Sequence, residues 1–293
     1  MAIPTGAIRY NTDSNKMECF NGTKWMQVVV SESVPIGARG LCWGGYASPG
    51  TVNTIDFITI ATGGTATDFG DGTWAGGYTG GTGTRTRGFL FGGYVTAPGS
   101  GPQLPSTAPI DYVEIATQGN AADFGDLTVA RGYPAGACSQ TRGLFAGGFI
   151  DQKDEIDYIT IATTGNAVDF GNLVRGKWIM DGAVSSGTRA VFGNGSDGSS
   201  PFGWKDNRVD YVTIATTGNA TDFGDYDSLY NPSAAQSSTR GIWMGGRVGP
   251  AGPAWITRVV KIEIDTLGNP MDFGDLSVAR GRQSGLSNSG GGT

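Results

Sequence analysis

The sequence contains no histidine, and this absence excludes much of the catalytic chemistry that a chain of this length can carry. A Ser-His-Asp triad, a His-Arg-Asp kinase loop and a histidine-ligated copper centre all need an imidazole. The three cysteines, Cys19, Cys42 and Cys138, are too few and too scattered for a zinc site or a disulfide framework. We therefore expect no enzyme, no cofactor and no metal site.

Two alternatives stay open after these exclusions. Paired carboxylates can hydrolyse glycosides without histidine, although the glutamates are few: Glu18, Glu32, Glu114, Glu155 and Glu263. We interpret Glu114 and Glu263 as solvated strand positions. The acidic stretch GNGSDGSS at 193–200 offers oxygen ligands of the kind that a calcium ion takes.

The chain also lacks an excess of basic residues and any long hydrophobic run. Lysine and arginine number 20 against 26 acidic residues, which gives a net charge of −6. Binding to nucleic acid or to an anionic membrane surface draws on clustered basic side chains, so we expect neither partner. No segment approaches the roughly 20 apolar residues of a membrane span, and MAIPTGAIRY lacks the features of a signal peptide. These features favour a soluble protein made in a reducing compartment.

What the sequence does have is glycine, 51 residues of it, between short runs rich in Ile, Val, Tyr and Phe. Glycine at this frequency disfavours helices, whereas short apolar runs bounded by turn residues are typical of strands. The sequence therefore predicts an all-β fold.

One motif of sixteen residues recurs five times, for example IDYITIATTGNAVDFG at 156–171. Each copy follows a run that resembles Arg-Gly-apolar-apolar-apolar-Gly-Gly, such as RGLFAGG at 142–148. The number of residues from the start of the motif to its phenylalanine is constant, and these phenylalanines are Phe69, Phe124, Phe170, Phe223 and Phe273. The constant span predicts a tight hairpin with a two-residue turn at Gly165-Asn166.

Each repeat is predicted to form four strands: a before the arginine, b from the arginine to the double glycine, c and d in the hairpin. The first copy has no convincing strand a, and the last copy ends where strand b would begin. A C-terminal strand at roughly 282–289 can therefore complete the four strands of the first copy and join the last copy to the first in a closed ring, which removes exposed sheet edges.

A period near 50 residues and the double glycine after strand b resemble kelch-type β-propellers. The resemblance covers about 36–293 and implies a five-bladed propeller. The chain departs from the kelch pattern because phenylalanine stands where the family carries tryptophan.

The recurring Asp-Phe-Gly is interpreted as scaffold, because five symmetric copies do not make one asymmetric catalytic site. We expect its aspartates to cap turns or to pair with the strand-b arginines Arg87, Arg142, Arg189 and Arg240. Cys42 occupies a core position of its repeat and is expected to be buried.

Loops that vary over a constant scaffold commonly carry recognition. The longest loops present six candidate ligand-binding or partner-binding residues: Phe202, Trp204, Lys205, Asp206, Arg247 and Trp255. Exposed aromatic rings beside polar groups suit sugars or proteins. The competing interpretation is that these rings hold the long loops in place.

Residues 1–35 stand outside the repeat and are predicted to form a small β-meander that serves as an anchor or oligomerisation module. The stretch GAIRYNTDSNKMECFNGTKW at 6–25 closely resembles modules of structural proteins from tailed bacteriophages. The repeat also resembles virion proteins of phages that infect cyanobacteria. The resemblance implies a module anchored through Arg9, Tyr10, Phe20 and Trp25, followed by a propeller domain at 36–293.

The resemblances together predict a non-enzymatic virion protein, assembled in the host cytoplasm, that acts as a tail fibre, appendage or capsid decoration. Its expected partners are other virion proteins, further copies of itself, and a glycan or protein of the host surface. The alternatives are a carbohydrate-active enzyme or lectin on a propeller fold, and an interaction scaffold of a bacterial cell.

Overall fold

The structure is a computed structural model that describes residues 3–12, 16–27, 39–47, 50–60, 62, 64–94, 108–149, 153–178, 182–193, 195–196, 205–226, 229–230, 232–248 and 255–281. These residues form antiparallel β-sheets and contain no helix, which confirms the all-β prediction. In this part of the chain no helix is therefore long and apolar enough to cross a membrane. The chain divides into two compact units, Met1–Ile36 and Gly37–Thr293.

The first unit is a three-stranded antiparallel sheet. Its strands follow one another in space as in sequence: β1 (Ile8–Asn11), β2 (Lys16–Phe20) and β3 (Trp25–Gln27). The turn before β3 is closed by Asn21, whose side-chain oxygen accepts the backbone N–H groups of Thr23 and Lys24, both at 2.9 Å. This arrangement is the predicted meander.

The second unit contains five successive sheets, one for each copy of the repeat. The first copy forms β4 (Arg39–Trp43), the paired β5 (Tyr46–Ala47) and β6 (Gly50–Thr51), β7 (Thr54–Thr59) and β8 (Thr67–Asp71). Strands β4, β7 and β8 make sheet 1. Sheet 2 contains β9 (Gly80–Gly83), β10 (Arg87–Phe91), β11 (Pro109–Glu114) and β12 (Ala122–Asp126).

The remaining copies repeat this order with small additions in two connections. Sheet 3 contains β13 (Ala135–Cys138), β14 (Arg142–Ala146), β15 (Glu155–Thr160) and β16 (Val168–Asn172). Sheet 4 contains β17 (Ala183–Ser185), β18 (Arg189–Phe192), β21 (Arg208–Thr213) and β22 (Thr221–Asp225), with β19 (Gly195–Ser196) paired to β20 (Lys205–Asp206). Sheet 5 contains β24 (Ser233–Gln236), β25 (Arg240–Met244), β27 (Arg258–Glu263) and β28 (Met271–Asp275), with β23 (Leu229–Tyr230) paired to β26 (Arg247–Val248).

The predicted strand order a-b-c-d is therefore present in sheets 2 to 5. Sheet 1 has strands b, c and d within the residues that the structure describes. The residues directly before Arg39, where strand a was predicted to be missing, lie outside them. The proposed closing segment at 282–289 lies outside these residues.

The predicted two-residue turn at Gly165-Asn166 is wrong. Strand β15 ends at Thr160 and β16 begins at Val168, so the connection is longer. Gly165 and Ala167 donate their N–H groups to the carbonyls of Phe124 and Asp126 in the preceding sheet, at 2.7 and 2.8 Å. The number of residues between strands c and d is constant because the loop must reach the neighbouring sheet. The sequence of a single hairpin does not reveal this requirement.

The same contact joins every described pair of successive sheets. The turn between strands c and d lies against strand d of the preceding sheet, and a glycine N–H of the turn donates to the carbonyl of the Asp-Phe-Gly phenylalanine. The donors and acceptors are Gly119 to Phe69, Gly165 to Phe124, Gly218 to Phe170 and Gly268 to Phe223, at 2.9, 2.7, 2.7 and 3.1 Å. The sheets are thus linked through backbone hydrogen bonds as well as through side chains.

The strand-b arginine makes a second link between sheets. Its guanidinium stacks over the aromatic ring of strand c in its own sheet, as Arg142 does over Tyr158 at 4.7 Å. It also donates from Nη1 to a backbone carbonyl of the next sheet. These bonds are Arg39 to Ile115, Arg87 to Ile161, Arg142 to Ile214 and Arg189 to Ile264. The recurring arginine and tyrosine are therefore one structural device.

Asp-Phe-Gly is also accounted for residue by residue. Asp169 accepts the N–H of Gly171 at 3.1 Å, where the pairing of β15 with β16 shifts register. Phe170 is buried and packs edge-on against Tyr158 at 5.9 Å. Among the described residues, the expected pairing of these aspartates with the strand-b arginines is not seen: Arg87 and Arg240 pair with Glu114 and Glu263 instead.

Two ion pairs are completely buried between successive sheets. Arg131 follows β12 and pairs with Asp157 of β15, and Lys177 follows β16 and pairs with Asp210 of β21 at 3.0 Å. Arg131 also donates to a backbone carbonyl of β15, at 2.9 Å, and Lys177 donates likewise to β21. A buried charge is tolerated when it is both paired and hydrogen-bonded.

The outer faces of the first and last sheets are exposed where their equivalents are buried. Phe273 is 55% exposed, whereas Phe69, Phe124, Phe170 and Phe223 are at most 3% exposed. The edge of β4 has no strand beside it in the described part of the chain, and Cys42 on β4 is exposed. The prediction that Cys42 is buried is therefore wrong, because strand a of its sheet is missing there.

Candidate functional site

The anchor residues proposed for the N-terminal unit lie on two faces of its sheet. Arg9 pairs with Glu18 at 2.7 Å and stacks over Trp25 at 4.2 Å. Phe20 lies beside Trp25, with ring centroids 5.4 Å apart. Strand alternation places Tyr10 on the opposite face, so the structure brings Arg9, Phe20 and Trp25 together and separates Tyr10 from them.

Glu18 is the electrostatic centre of this cluster. Its pKa is lowered from the usual glutamate value, first by the hydrogen bond from Asn11 and then by that from Arg9. The Asn11 amide lies 3.0 Å from Oε1 of Glu18. The network is compact and local, and it fixes the three strands relative to one another.

The opposite face is apolar and exposed. The pairing of β1 with β2 and of β2 with β3 places Ile8, Tyr10, Met17 and Met26 on this face together with Cys19. Ile8 is 65% exposed, and the other three named first are also exposed. We call this set the anchor face. The sequence analysis missed most of it, although the alternation of IRYN and KMECF carries the signal.

The candidate binding residues of the second unit divide into three groups. Phe202 and Trp204 lie outside the described residues. Lys205 and Asp206 form β20, which pairs with β19, and the structure describes their backbone only. Arg247 and Trp255 come together, because the guanidinium lies 4.6 Å from the indole ring centre.

The Arg247–Trp255 contact also has a structural role. A backbone bridge joins these two residues, and Gly281 lies so close to Trp255 that a Cβ would overlap the indole. Trp255 is partly buried in this arrangement. These contacts support the interpretation that the ring holds its loop in place.

A row of aromatic rings that the sequence analysis did not identify lies after strand d in the first three repeats. Tyr78, Tyr133 and Trp178 form this aromatic row, with ring centroids 4.7 Å apart between the tyrosines and 6.3 Å between Tyr133 and Trp178. Tyr94 and Phe149 follow the double glycines of sheets 2 and 3 and pack beside the row. In an antiparallel a-b-c-d sheet, the d-to-a and b-to-c connections leave from the same end, so the row lies at the end that carries the variable loops.

The tyrosines of the row adopt a costly backbone conformation. Tyr78 has a φ of 58° and Tyr133 a φ of 55°. Both values lie in the left-handed region that residues other than glycine seldom occupy. Such a residue persists where its surroundings require it, and here the N–H of Tyr133 donates to the carbonyl of Tyr78 at 2.9 Å. Tyr78 remains 42% exposed at one end of the row.

Tyr94 is the buried support of the row. It is 1% exposed, and burial raises the pKa of its hydroxyl far above the usual tyrosine value. Gly132 passes directly over its ring, where a Cβ would overlap it. The signal for the row was present as Gly-Tyr at 77–78 and 132–133, at the same distance after Asp-Phe-Gly.

A cavity of about 590 Å³ lies among the a strands of sheets 2 to 5 and the free edge of β4. The a strands that line it carry small residues: GGTG at 80–83, AGAC at 135–138, AVS at 183–185 and SAAQ at 233–236. Asp56 is an acidic lining residue beside this free edge. In the described part of the chain, no group of three or more acidic or cysteine side chains is arranged to hold a metal ion.

Comparison with models of known protein families finds none that matches this chain, and comparison with curated protein sequences finds no significant relative.

Proposed function

We propose that the five sheets are the blades of a closed, kelch-like, five-bladed β-propeller. Each sheet packs on the next through the same hydrogen bonds, and the first strands together line one cavity. Within the described residues, sheet 1 lacks the first strand that the other four possess. The sequence SGLS at 284–287 has the small-residue composition of those strands, so we assign the closing strand to roughly 282–289.

The function that fits these units best is that of a non-enzymatic structural protein of a tailed-phage virion, as a tail fibre, appendage or capsid decoration. The observation that carries this proposal is the anchor face. A three-stranded sheet with exposed Ile8, Tyr10, Met17 and Met26 is marginal alone and needs a partner surface. The partner is another virion protein or a second copy of the module.

The second unit then displays a recognition surface for the host. The aromatic row presents ring surface, which suits a glycan or a protein. The lectin alternative shares this surface and differs only in where the protein acts. A carbohydrate-active enzyme would need two facing carboxylates. Asp56 is the acidic residue among the described residues that line the cavity, so the aromatic row supports binding better than the cavity supports catalysis.

The test of the virion assignment is the protein content of purified particles. We expect mass spectrometry to find the chain in particles, and we expect Met17→Glu to reduce its incorporation several-fold, because a charge on the anchor face must be desolvated on docking. Lys24→Glu, in the exposed turn before β3, is the matched control and should leave incorporation unchanged. Absence of the chain from particles, or equal incorporation of the two variants, would contradict the proposal.

The recognition surface is tested separately with the purified protein. Tyr78→Ala should weaken binding to host cells or to a glycan array by about tenfold, since loss of an aromatic contact costs on the order of 1–2 kcal/mol. Val168→Ala removes an exposed apolar side chain at the opposite end of the sheets and should have no effect. If wild-type protein binds neither cells nor glycans, capsid decoration becomes the better account.

A further inference from the structure

The eighth residue after the aspartate of Asp-Phe-Gly occupies an equivalent backbone position in the repeats. These residues are Gly76, Arg131, Lys177, Tyr230 and Arg280. The carbonyls of Gly76, Arg131, Lys177 and Arg280 each accept an N–H from the second glycine of the double glycine in the same repeat, at 2.8 to 3.0 Å. Arg280 is therefore held at the same place in sheet 5 as Arg131 in sheet 2.

The partner position lies in strand c of the following sheet. It is occupied by Asp111, Asp157, Asp210 and Val260 in sheets 2 to 5, and by Asp56 in sheet 1. The three aspartates of sheets 2 to 4 are completely buried.

The two positions match each other across successive sheets. Arg131 meets Asp157 and Lys177 meets Asp210, whereas Tyr230 precedes Val260, so both charges are absent together. Where Gly76 precedes Asp111, the carboxylate instead accepts the N–H and the hydroxyl of Thr73, both at 2.7 Å. Each buried aspartate thus has a polar or charged partner from the preceding sheet: Thr73 for Asp111, Arg131 with Thr128 for Asp157, and Lys177 for Asp210.

Arg280 and Asp56 are what remains when these pairs have been assigned. Among the described residues, neither side chain has a hydrogen-bond or ion-pair partner. Arg280 is exposed and Asp56 is half-buried. The sheets that carry them also have unusually exposed faces, with Phe273 at 55% and Ile60 at 41% exposed, whereas Ile161 and Ile214 at the position of Ile60 are buried.

We propose that Arg280 and Asp56 form a buried ion pair that joins sheet 5 to sheet 1 within one molecule. The inference rests on the ring closure proposed above and names the residues that hold it. Arg131 also donates to the carbonyl of Glu155, two residues before its partner Asp157. Thr54 lies two residues before Asp56, so Arg280 donates to the carbonyl of Thr54. Ser277 stands where Thr128 supplies a hydroxyl and an N–H to Asp157, and it completes the environment of Asp56.

Pairing within the molecule is favoured over pairing between two copies. The cavity is lined by β4 of sheet 1 and by β24 of sheet 5 together. The chain continues for twelve residues beyond Gly281, enough to supply one strand beside β4. A ring closed in this way leaves no free sheet edge, whereas pairing between copies would produce open arrays.

The test is a double-mutant cycle on the full-length chain with Asp56→Ala, Arg280→Ala and the double variant. Breaking one side of a buried pair leaves an uncompensated charge, so each single variant should lower the melting temperature by roughly 6–15 °C in a unit of this size. The melting temperature of the double variant should be no lower than that of the less stable single variant. Asp56→Ala combined with Lys153→Ala, a half-buried residue just before β15, is the control and should be additive.

The charge-exchanged variant, with Asp56→Arg and Arg280→Asp together, should recover part of the loss seen with either exchange alone. Additive effects in the Asp56–Arg280 cycle would overturn the ion pair. If Asp56→Ala does not fold, the same cycle with Asp56→Asn and Arg280→Gln decides the question.

Two further measurements separate this inference from the proposals on which it rests. Deleting residues 282–293 tests closure itself, so a destabilised truncation with an additive cycle would retain the ring and remove the ion pair. Sedimentation of the wild-type protein should show no concentration-dependent association that the Arg280→Ala change abolishes. Such association would assign the pair to contacts between copies and overturn the intramolecular form.

Discussion

Asp111 shows how one carboxylate is accommodated where the repeat lacks its cation. The side chain is completely buried, and desolvation raises its pKa, against the opposing effect of the two hydrogen bonds from Thr73. Because the folded state binds the proton more tightly than the unfolded chain, the free energy of unfolding falls as pH rises through this range. The loss begins near the ordinary aspartate pKa of about 4 and is complete above the raised value.

We predict that Asp111→Asn is more favourable at pH 7 than at pH 4, relative to the wild type. The amide is uncharged, and it keeps both contacts with Thr73 because its oxygen accepts the N–H and its NH₂ donates to the hydroxyl. Urea denaturation at the two pH values measures the difference. A variant that loses relative stability on going from pH 4 to pH 7 would show that the carboxylate is stabilising when ionised.

Two roles of individual residues could not be predicted from the sequence. The aromatic row depends on two tyrosines with positive φ, and single-sequence reasoning assigns that conformation to glycine or asparagine. Arg131 and Lys177 were assigned no role from the sequence, because their partners lie in the next repeat.

At the scale of elements, the Asp-Phe-Gly strand is a contact surface for the next sheet. Gly125 has a φ of 145°, and a Cβ there would lie 2.5 Å from the backbone of Gly165 in the following turn. Gly274 has nearly the same φ, 143°, and open space around it. The two glycines share one backbone strain and differ only in whether a neighbouring sheet is present.

We predict that Gly125→Ala and Gly274→Ala reduce the free energy of unfolding by similar amounts, about 2–6 kcal/mol each. Backbone strain accounts for about 1–3 kcal/mol of this, and overlap with a neighbouring turn for about 1–3 kcal/mol. The similarity is expected because the proposed ring closure would bring the turn at Gly64 against Gly274. Denaturant melts of the two variants compare them directly, and a clearly milder Gly274→Ala would indicate that sheet 5 has no neighbour.

Strand order was predictable from the repeat, and the loop between strands c and d was not. The apolar runs and the double glycines locate strands a to d correctly. The Gly-Asn step looks like a hairpin turn when one repeat is considered alone. Its glycine N–H in fact binds the preceding sheet, so the neighbour decides the geometry of the loop.

At the scale of the whole molecule, the proposed closure of the ring would determine how much surface is buried. Phe273 and its four equivalents are the same residue in the same motif, yet only Phe273 is exposed in the described structure. A Phe side chain that moves from water into a core stabilises a protein by about 1.5–3 kcal/mol. Closure would bury Phe273 and the free edge of β4 together.

We predict that Phe273→Ala destabilises the protein by about 3–5 kcal/mol, as Phe170→Ala should. In a chain that lacks residues 282–293, Phe170→Ala should still be costly and Phe273→Ala should be nearly neutral. Urea denaturation of the four variants provides the comparison. A change within about 0.5 kcal/mol for Phe273→Ala in the full-length chain, as is usual for surface sites, would contradict closure.

The sequence by itself determined the all-β class, the five repeats and the order of strands within each, because apolar alternation and turn residues act over a few neighbours. It also predicted that the recurring Asp-Phe-Gly is scaffold. The tertiary structure decided which residues of different repeats meet: the aromatic row, the anchor face, the arginine bonds and the buried ion pairs. These contacts join residues tens of positions apart, so they depend on how sheets pack against one another, which no local pattern encodes.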